Sequence, residues 1–175
     1  MSDTVSDPVE IKWHGRFLIA KQEGKWEYVS RARNINAAVI VAVDDGHILL
    51  VEQYRFPLKA LCLELPAGLV GDDEEGEAVE IAAARELEEE TGYHAEKLEV
   101  IGQFASSPGM VSETFTLLRA TGLTRVGEGG GVEDEHIAVH RVPLAEMAQF
   151  VAAKRNQGVV IDVKLLLLLA DHIIG

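Results

Sequence analysis

The chain has 175 residues, 47% of them hydrophobic, enough to bury one good core and form a single compact domain. Its 16 basic residues against 29 acidic ones give a net charge of −13. That balance argues against long nucleic acids or anionic membranes as partners, since affinity for either rests on Lys and Arg neutralising phosphates, and a small anionic substrate would need a metal and a few local arginines.

The first ten residues are polar and acidic, with no apolar stretch of the kind a secretory leader carries. Residues 17–20 and 26–30 predict a short hairpin around Glu23-Gly24, set apart as an N-terminal unit over residues 1–35, with the main domain at 36–175. A β-branched strand over 37–43 leads through Asp44-Asp45-Gly46, a hairpin signal, into a second strand over 48–53. Short strands are predicted at 61–65, 98–104, 114–119 and 136–142, with a helix ending near Glu90 between the first two. Two helices follow, one opening at Pro143 and running to about residue 155, the other over 162–172. The order is mixed α/β, of the α+β kind and not a regular βαβ alternation, which excludes a doubly wound sheet. The single Cys62, between Leu61 and Leu63, allows no internal disulfide and reads as a buried small hydrophobe, which fits a reducing cytoplasm. The longest apolar stretch, 165–170, is too short to span a bilayer.

The chemistry concentrates before residue 93. On a helix ending near Glu90, Glu86 and Glu90 stand one turn apart on one face with Glu89 beside them, and no lysine is close enough to balance them. Like charges at that spacing cost a few tenths of a kcal/mol each, so either a cation compensates or the face is simply solvated. Carboxylates converging from one turn suit Mg²⁺ or Mn²⁺, hard cations that take substrate phosphates as remaining ligands. Arg85 can pair with Glu89 at i,i+4 and orient it, while Leu87 and the 81–84 run supply the buried face. Gly92 stands where the helix needs a left-handed residue to end.

Further on, Gly127-Glu128-Gly129-Gly130-Gly131 reads as a flexible loop, because it has neither the GxGxxG spacing nor a phosphate-loop lysine. Glu133, Asp134 and Glu135 follow it. Acids there either face solvent or bring a general base to an activated water. The six histidines show no metal-ligand spacing, no GxSxG elbow occurs, and Ser106-Ser107-Pro108-Gly109 reads as a tight turn.

Gly71, then Glu77, then Arg85-Glu86-Leu87-Glu88-Glu89-Glu90-Thr91-Gly92 match the complete signature of the Nudix hydrolases, and the chain resembles that family. The resemblance implies the Nudix fold, a mixed β-sheet sandwiched between helices. Trp26-Glu27-Tyr28-Val29-Ser30-Arg31, Gln53-Tyr54-Arg55, Glu64-Leu65-Pro66-Ala67-Gly68 and Ser107-Pro108-Gly109 are similar to segments of its ADP-ribose pyrophosphatase branch. By that likeness Phe17 and Trp26 sandwich the nucleobase, with Glu27, Leu69, Pro108 and Gly109 also touching substrate. Arg31 and Arg55 hold the diphosphate or its flanking sugar. The Ala67 carbonyl joins Glu86, Glu89 and Glu90 around Mg²⁺ or Mn²⁺, Arg85 supports them, and Glu135, or failing it Glu133, acts as the base. In most of that branch the PAG glycine is also the first glycine of the signature, whereas here Gly68 precedes Gly71 by three residues. Either Gly71 takes over the turn or the insertion bulges away.

The implied activity is metal-dependent hydrolysis of ADP-ribose or a related nucleoside diphosphate sugar into a nucleoside monophosphate and a sugar phosphate. The stretch Gly129 to Glu135 also resembles GDP-mannose-type Nudix hydrolases, which leaves the base open. A triphosphate-sanitising enzyme, an isomerase-like use of the fold and a non-catalytic nucleotide-sugar sensor are the rival readings. In the resembled branch the early aromatic strand reaches a neighbouring subunit, so a homodimer joined through residues 1–35 is expected.

Overall fold

A computed structural model describes residues 7–33, 35–71, 76–132 and 135–174. Its strands are β1 (Val9–His14), β2 (Leu18–Glu23), β3 (Trp26–Arg31), β4 (Asn36–Asp44), β5 (His47–Arg55), β6 (Ala60–Glu64), β7 (Ala67–Val70), β8 (Tyr93–Ala105), β9 (Thr114–Arg125), β10 (Ala138–Pro143) and β11 (Val160–Ile161). The α-helices are α1 (Val79–Thr91), α2 (Met147–Asn156) and α3 (Ala170–Ile174), with 3-10 segments at Leu144–Glu146 and Val163–Leu169.

The near-continuous apolar runs of β4 and β5 mark strands covered on both faces. Val39, Ile48 and Leu50 point to a layer with Met147 and Val151 of α2 and with Leu165 and Leu169. Ala38, Ile40, Ala42 and Leu49, one residue out of phase, point to the opposite layer with Ala83 and Leu87 of α1. The result is a mixed eight-stranded sheet, ordered β11-β6-β5-β4-β9-β8 with β7 against β4 and β10 against β5, held between α1 and the C-terminal helices. Asp45 and Gly46 both have positive φ (47° and 68°), as a two-residue hairpin turn matched to strand twist requires.

Residues 9–31 form a separate three-stranded sheet, β1-β2-β3, where a two-stranded hairpin was expected. The extra strand, Val-Glu-Ile-Lys-Trp-His, alternates apolar and polar residues and is exposed along its whole length. Backbone hydrogen bonds from Val29 N–H to Met110 O and from Ser112 N–H to Val29 O, both 3.0 Å, tie this sheet to the loop after β8.

Other differences are local. β8 and β9 are 13 and 12 residues long, because their paired registers continue well past the apolar segments that announce them. The short β7 was not anticipated, as the PAG turn hides a strand that pairs only with β4. The 162–172 helix is mostly 3-10, started by Asp162, whose carboxylate accepts the Lys164 N–H at 2.8 Å. Ile81, expected on the buried face of α1, is 62% exposed, since it lies about 200° around the helix from Ala83.

Candidate functional site

α1 carries the acids, and its termini explain their aim. The helix ends at Gly92 in the left-handed region (φ 75°), whose N–H donates to Glu88 O. Ala82, Ala83 and Leu87 lie in the core and hold the helix against the sheet, which leaves Glu86, Glu89 and Glu90 facing a cleft of about 780 Å³. Arg85 lies across them: Nη1 donates to Glu86 Oε1 at 2.9 Å and to Glu89 Oε2 at 3.4 Å, the i,i+4 pairing expected from spacing. The Ala67 N–H donates to Glu90 Oε2 at 3.0 Å.

The two glycines before the helix divide the work that one does elsewhere. Gly68 lies so close to Glu86 that any Cβ there would overlap its carboxylate. Gly71 takes the left-handed turn (φ 81°), and its N–H donates to Glu77 Oε2 at 3.3 Å, a carboxylate that also approaches Arg85 at 3.7 Å. Glu77 thus links the turn at Gly71 to Arg85 of the helix.

Arg31, Arg55, Ala67, Leu69, Arg85, Glu86, Glu89, Glu90 and Glu135 all line this one cleft. Arg55 is gripped by buried Glu64 through Nε and Nη2, at 2.6 and 2.8 Å, and Arg31 pairs through Nε with Glu113. Sequence reasoning quoted Glu64 within a motif without giving it a task. It missed Glu113 and Lys164, which also line the cleft, and no local pattern announces either.

The aromatic residues are arranged differently from expectation. Trp26, Pro108 and Gly109 come together in a second cleft of about 270 Å³, with Glu23, Tyr28, Val111 and Ser112. β3 carries Trp26 at its start and Arg31 at its end, so it joins the two clefts. Phe17 lines neither cleft. It hydrogen-bonds through its carbonyl to the Ala32 N–H, while Trp26 pairs with Glu23 six residues farther along, a separation of about 20 Å. One chain therefore cannot place both rings on one base. Both rings are largely exposed, at 61% and 59%. Glu27, between Trp26 and Tyr28, faces away from that cleft.

Glu135 is brought to α1 from far along the chain. Its Oε2 accepts the Val132 N–H at 3.0 Å, and its charge is near enough to Glu86 and Glu90 to push both carboxyls up. Glu133 lies outside the described residues. Burial is the main cause of the raised Glu86 and Glu90, with Glu90 pushed up to about 8. The Ala67 N–H pulls Glu90 the other way, and the negative charges of Glu86 and Glu135 add to the rise.

Among the described residues no three His, Cys, Asp or Glu side chains stand as a ready metal cage; Arg85 engages Glu86 and Glu89, and the Ala67 N–H engages Glu90. The donor chemistry nevertheless suits a hard divalent cation: these are carboxylate oxygens, partly desolvated and mutually repelling, with Arg85 paired against them. No helix among the described residues is long and apolar enough to cross a membrane.

The methanol dehydrogenase activator of Bacillus methanolicus is 41% identical over 119 residues, covering 67% of this chain and 63% of that protein. The ADP-ribose pyrophosphatase of Bacillus subtilis is 40% identical over 118 residues, covering 67% and 62%. The GDP-mannose pyrophosphatase of Cronobacter sakazakii is 36% identical over 130 residues, covering 70% and 64%. The chain spans a little under two thirds of the length of these curated relatives. A crystal structure of an ADP compounds hydrolase shares the fold with a TM-score of 0.72 at 24% identity, over 97% of this chain and 94% of that one. A family model described as the NUDIX domain matches residues 32–162, three quarters of the sequence and all of the main cleft's lining except Arg31 and Lys164, and the chain belongs to that family.

Proposed function

We propose that this chain hydrolyses the diphosphate linkage of ADP-ribose or a related nucleoside diphosphate sugar, with Mg²⁺ or Mn²⁺, releasing a nucleoside monophosphate and a sugar phosphate. The observation that carries this reading is the convergence of Glu135 with Glu86, Glu89, Glu90, Arg31 and Arg55 on one cleft that β3 joins to an aromatic one. Glu86, Glu89 and Glu90, with the Ala67 carbonyl, would hold the cation, which when bound neutralises diphosphate oxygens and acidifies water. Arg85 keeps Glu86 and Glu89 aimed before that cation arrives. Arg31 and Arg55 present guanidinium forks suited to phosphate oxygens, and Leu69 closes the wall beside them. Glu135 orients a water and takes its proton as the new P–O bond forms and the bridging P–O bond breaks, with the second phosphate leaving. Trp26, with Pro108 and Gly109, offers the base a flat apolar site.

The separation of Phe17 from Trp26 supports a homodimer. Stacking Phe17 and Trp26 on both faces of one base requires a ring from another copy, and Val9, Ile11, Trp13 and Leu18 beside them supply exposed apolar surface to join it. The similarity to a GDP-mannose pyrophosphatase favours one second reading, the same chemistry on a guanine nucleotide sugar.

The test is a product assay with Mg²⁺ on ADP-ribose, GDP-mannose and a nucleoside triphosphate panel, run on the wild type and on Glu89→Gln and Glu90→Gln. Monophosphate release from ADP-ribose by the wild type is expected, with both variants folded and losing most activity. Equal turnover by all three proteins would refute the assignment of the acids. Preference for triphosphates would refute the substrate class.

A further inference from the structure

The glycine-rich stretch after β9 does not behave as the flexible loop its composition predicts. Gly129, Gly130 and Gly131 are three successive residues of positive φ (69°, 107° and 82°), and they lie main chain to main chain on the C-terminal end of α1. Gly130 N–H donates to Glu90 O at 2.9 Å and Gly131 N–H to Glu89 O at 3.0 Å, so the loop satisfies carbonyls that a helix end otherwise leaves without partners. Val126 and Gly127 N–H both donate to Gly92 O, at 2.8 and 3.0 Å. A Cβ on Gly129 would overlap the backbone of Thr91 and Gly92. On leaving the helix the chain is held again: Ile137 N–H donates to Gly130 O at 3.0 Å, Glu135 N–H to Val132 O at 3.2 Å and Val132 N–H to Glu135 Oε2 at 3.0 Å.

The loop therefore binds the backbone of Glu89 and Glu90 at one end and the side chain of Glu135 at the other. We infer that Gly129–Val132 is a positioning clasp that sets Glu135 relative to the acids of α1, with Gly131 as its determining residue. Gly131 has no side chain because a Cβ there would meet Glu135 Oε2, Glu135 Cβ and Ile137 Cδ1, all at 3.0 Å or less. Adding one methyl group displaces the Glu135 side chain, while the bonds that dock the loop are made by backbone and remain available. The inference rests on the reading of Glu135 as the group acting on the attacking water.

The experiment measures kcat, KM and thermal melting on ADP-ribose with Mg²⁺ for Gly131→Ala, Glu135→Gln, their double variant and Gly122→Ala. Gly122 is the control for strain: it also has positive φ (67°), a Cβ there would overlap Glu96, and neither residue lines the cleft. Gly131→Ala is expected to lower kcat at least tenfold with KM within about twofold, as a misplaced base predicts. Gly122→Ala should lose comparable melting temperature and keep wild-type kcat. The double variant should be no slower than Glu135→Gln alone, because both changes disable one group. Wild-type kcat in Gly131→Ala, or losses that multiply in the double variant, would overturn the clasp and leave the role of Glu135 standing. A silent Glu135→Gln would overturn that role and the clasp with it. If Gly131→Ala does not fold, Val132→Pro, which deletes the N–H donor to Glu135, decides by the same criteria.

Discussion

Glu64 is the residue that holds Arg55 in the cleft. Its buried carboxylate takes two hydrogen bonds from Arg55 and leaves that guanidinium's remaining edge to a ligand. Glu64→Gln keeps the shape but loses the charge and one acceptor. The expected result is a rise in KM of roughly tenfold or more with kcat little changed, the size of a lost hydrogen bond between charged groups. Steady-state kinetics on ADP-ribose check it, and an unchanged KM would remove Arg55 from the binding site. Cys62, only 3% exposed, gives a second test at this scale. Burial, with the nearby Glu64 and Asp162 charges, pushes its thiol from 9.0 up to about 12. Because the folded value is the higher one, the protonated thiol favours the fold below pH 9, and that contribution is lost as pH rises from 9 towards 12. The native protein should resist a thiol reagent at pH 8 and react once unfolded, with stoichiometry followed spectrophotometrically.

Among the elements, α1 is the one whose ends matter most. Gly92 is its left-handed terminator, and a Cβ there would also overlap Gly127 O and Gly129 N. Gly92→Ala therefore combines left-handed strain with a backbone clash. The expected cost is at least about 2 kcal/mol, or roughly 4–8 °C in Tm for a chain of this size, measured by thermal melting. A change below 1 °C would mean that helix and loop separate easily. The glycine loop and β7 both pass as unstructured by composition, yet each is held to α1 or β4 by backbone bonds between segments distant in sequence. No local signal reports such docking.

At the scale of the whole molecule, the unanswered surface is the N-terminal sheet. Val9, Ile11, Trp13, Phe17, Leu18 and Trp26 are all exposed on it, and a small sheet with that much apolar surface is stable only against something else. The proposed second copy is the occupant that would also complete the base site. Sedimentation equilibrium at micromolar concentration should give the mass of a dimer, and a monomer with full turnover on ADP-ribose would refute the shared site. Trp26→Ala should raise KM in proportion to roughly 1–3 kcal/mol of lost stacking, with kcat retained.

By itself the sequence determined the family, and it singled out the strands over 37–43 and 48–53, the acids of α1 and the arginines, because each is written as a short-range pattern: signature spacing, a β-branched apolar run, a helix turn between Glu86 and Glu90. It also identified the Asp45-Gly46 turn and the helix stop at Gly92, where backbone geometry admits few residue types. Tertiary structure alone decided the rest. The partners Glu64 and Glu113 lie opposite their arginines only after strands pair, and Lys164 reaches the cleft only when the C-terminal segment folds over the sheet. The distance between Phe17 and Trp26 follows from the register of β2 and β3, and the approach of Glu135 follows from a glycine backbone laid on a helix end. Such facts depend on strand register and on contacts between separate elements, and no single element contains both partners.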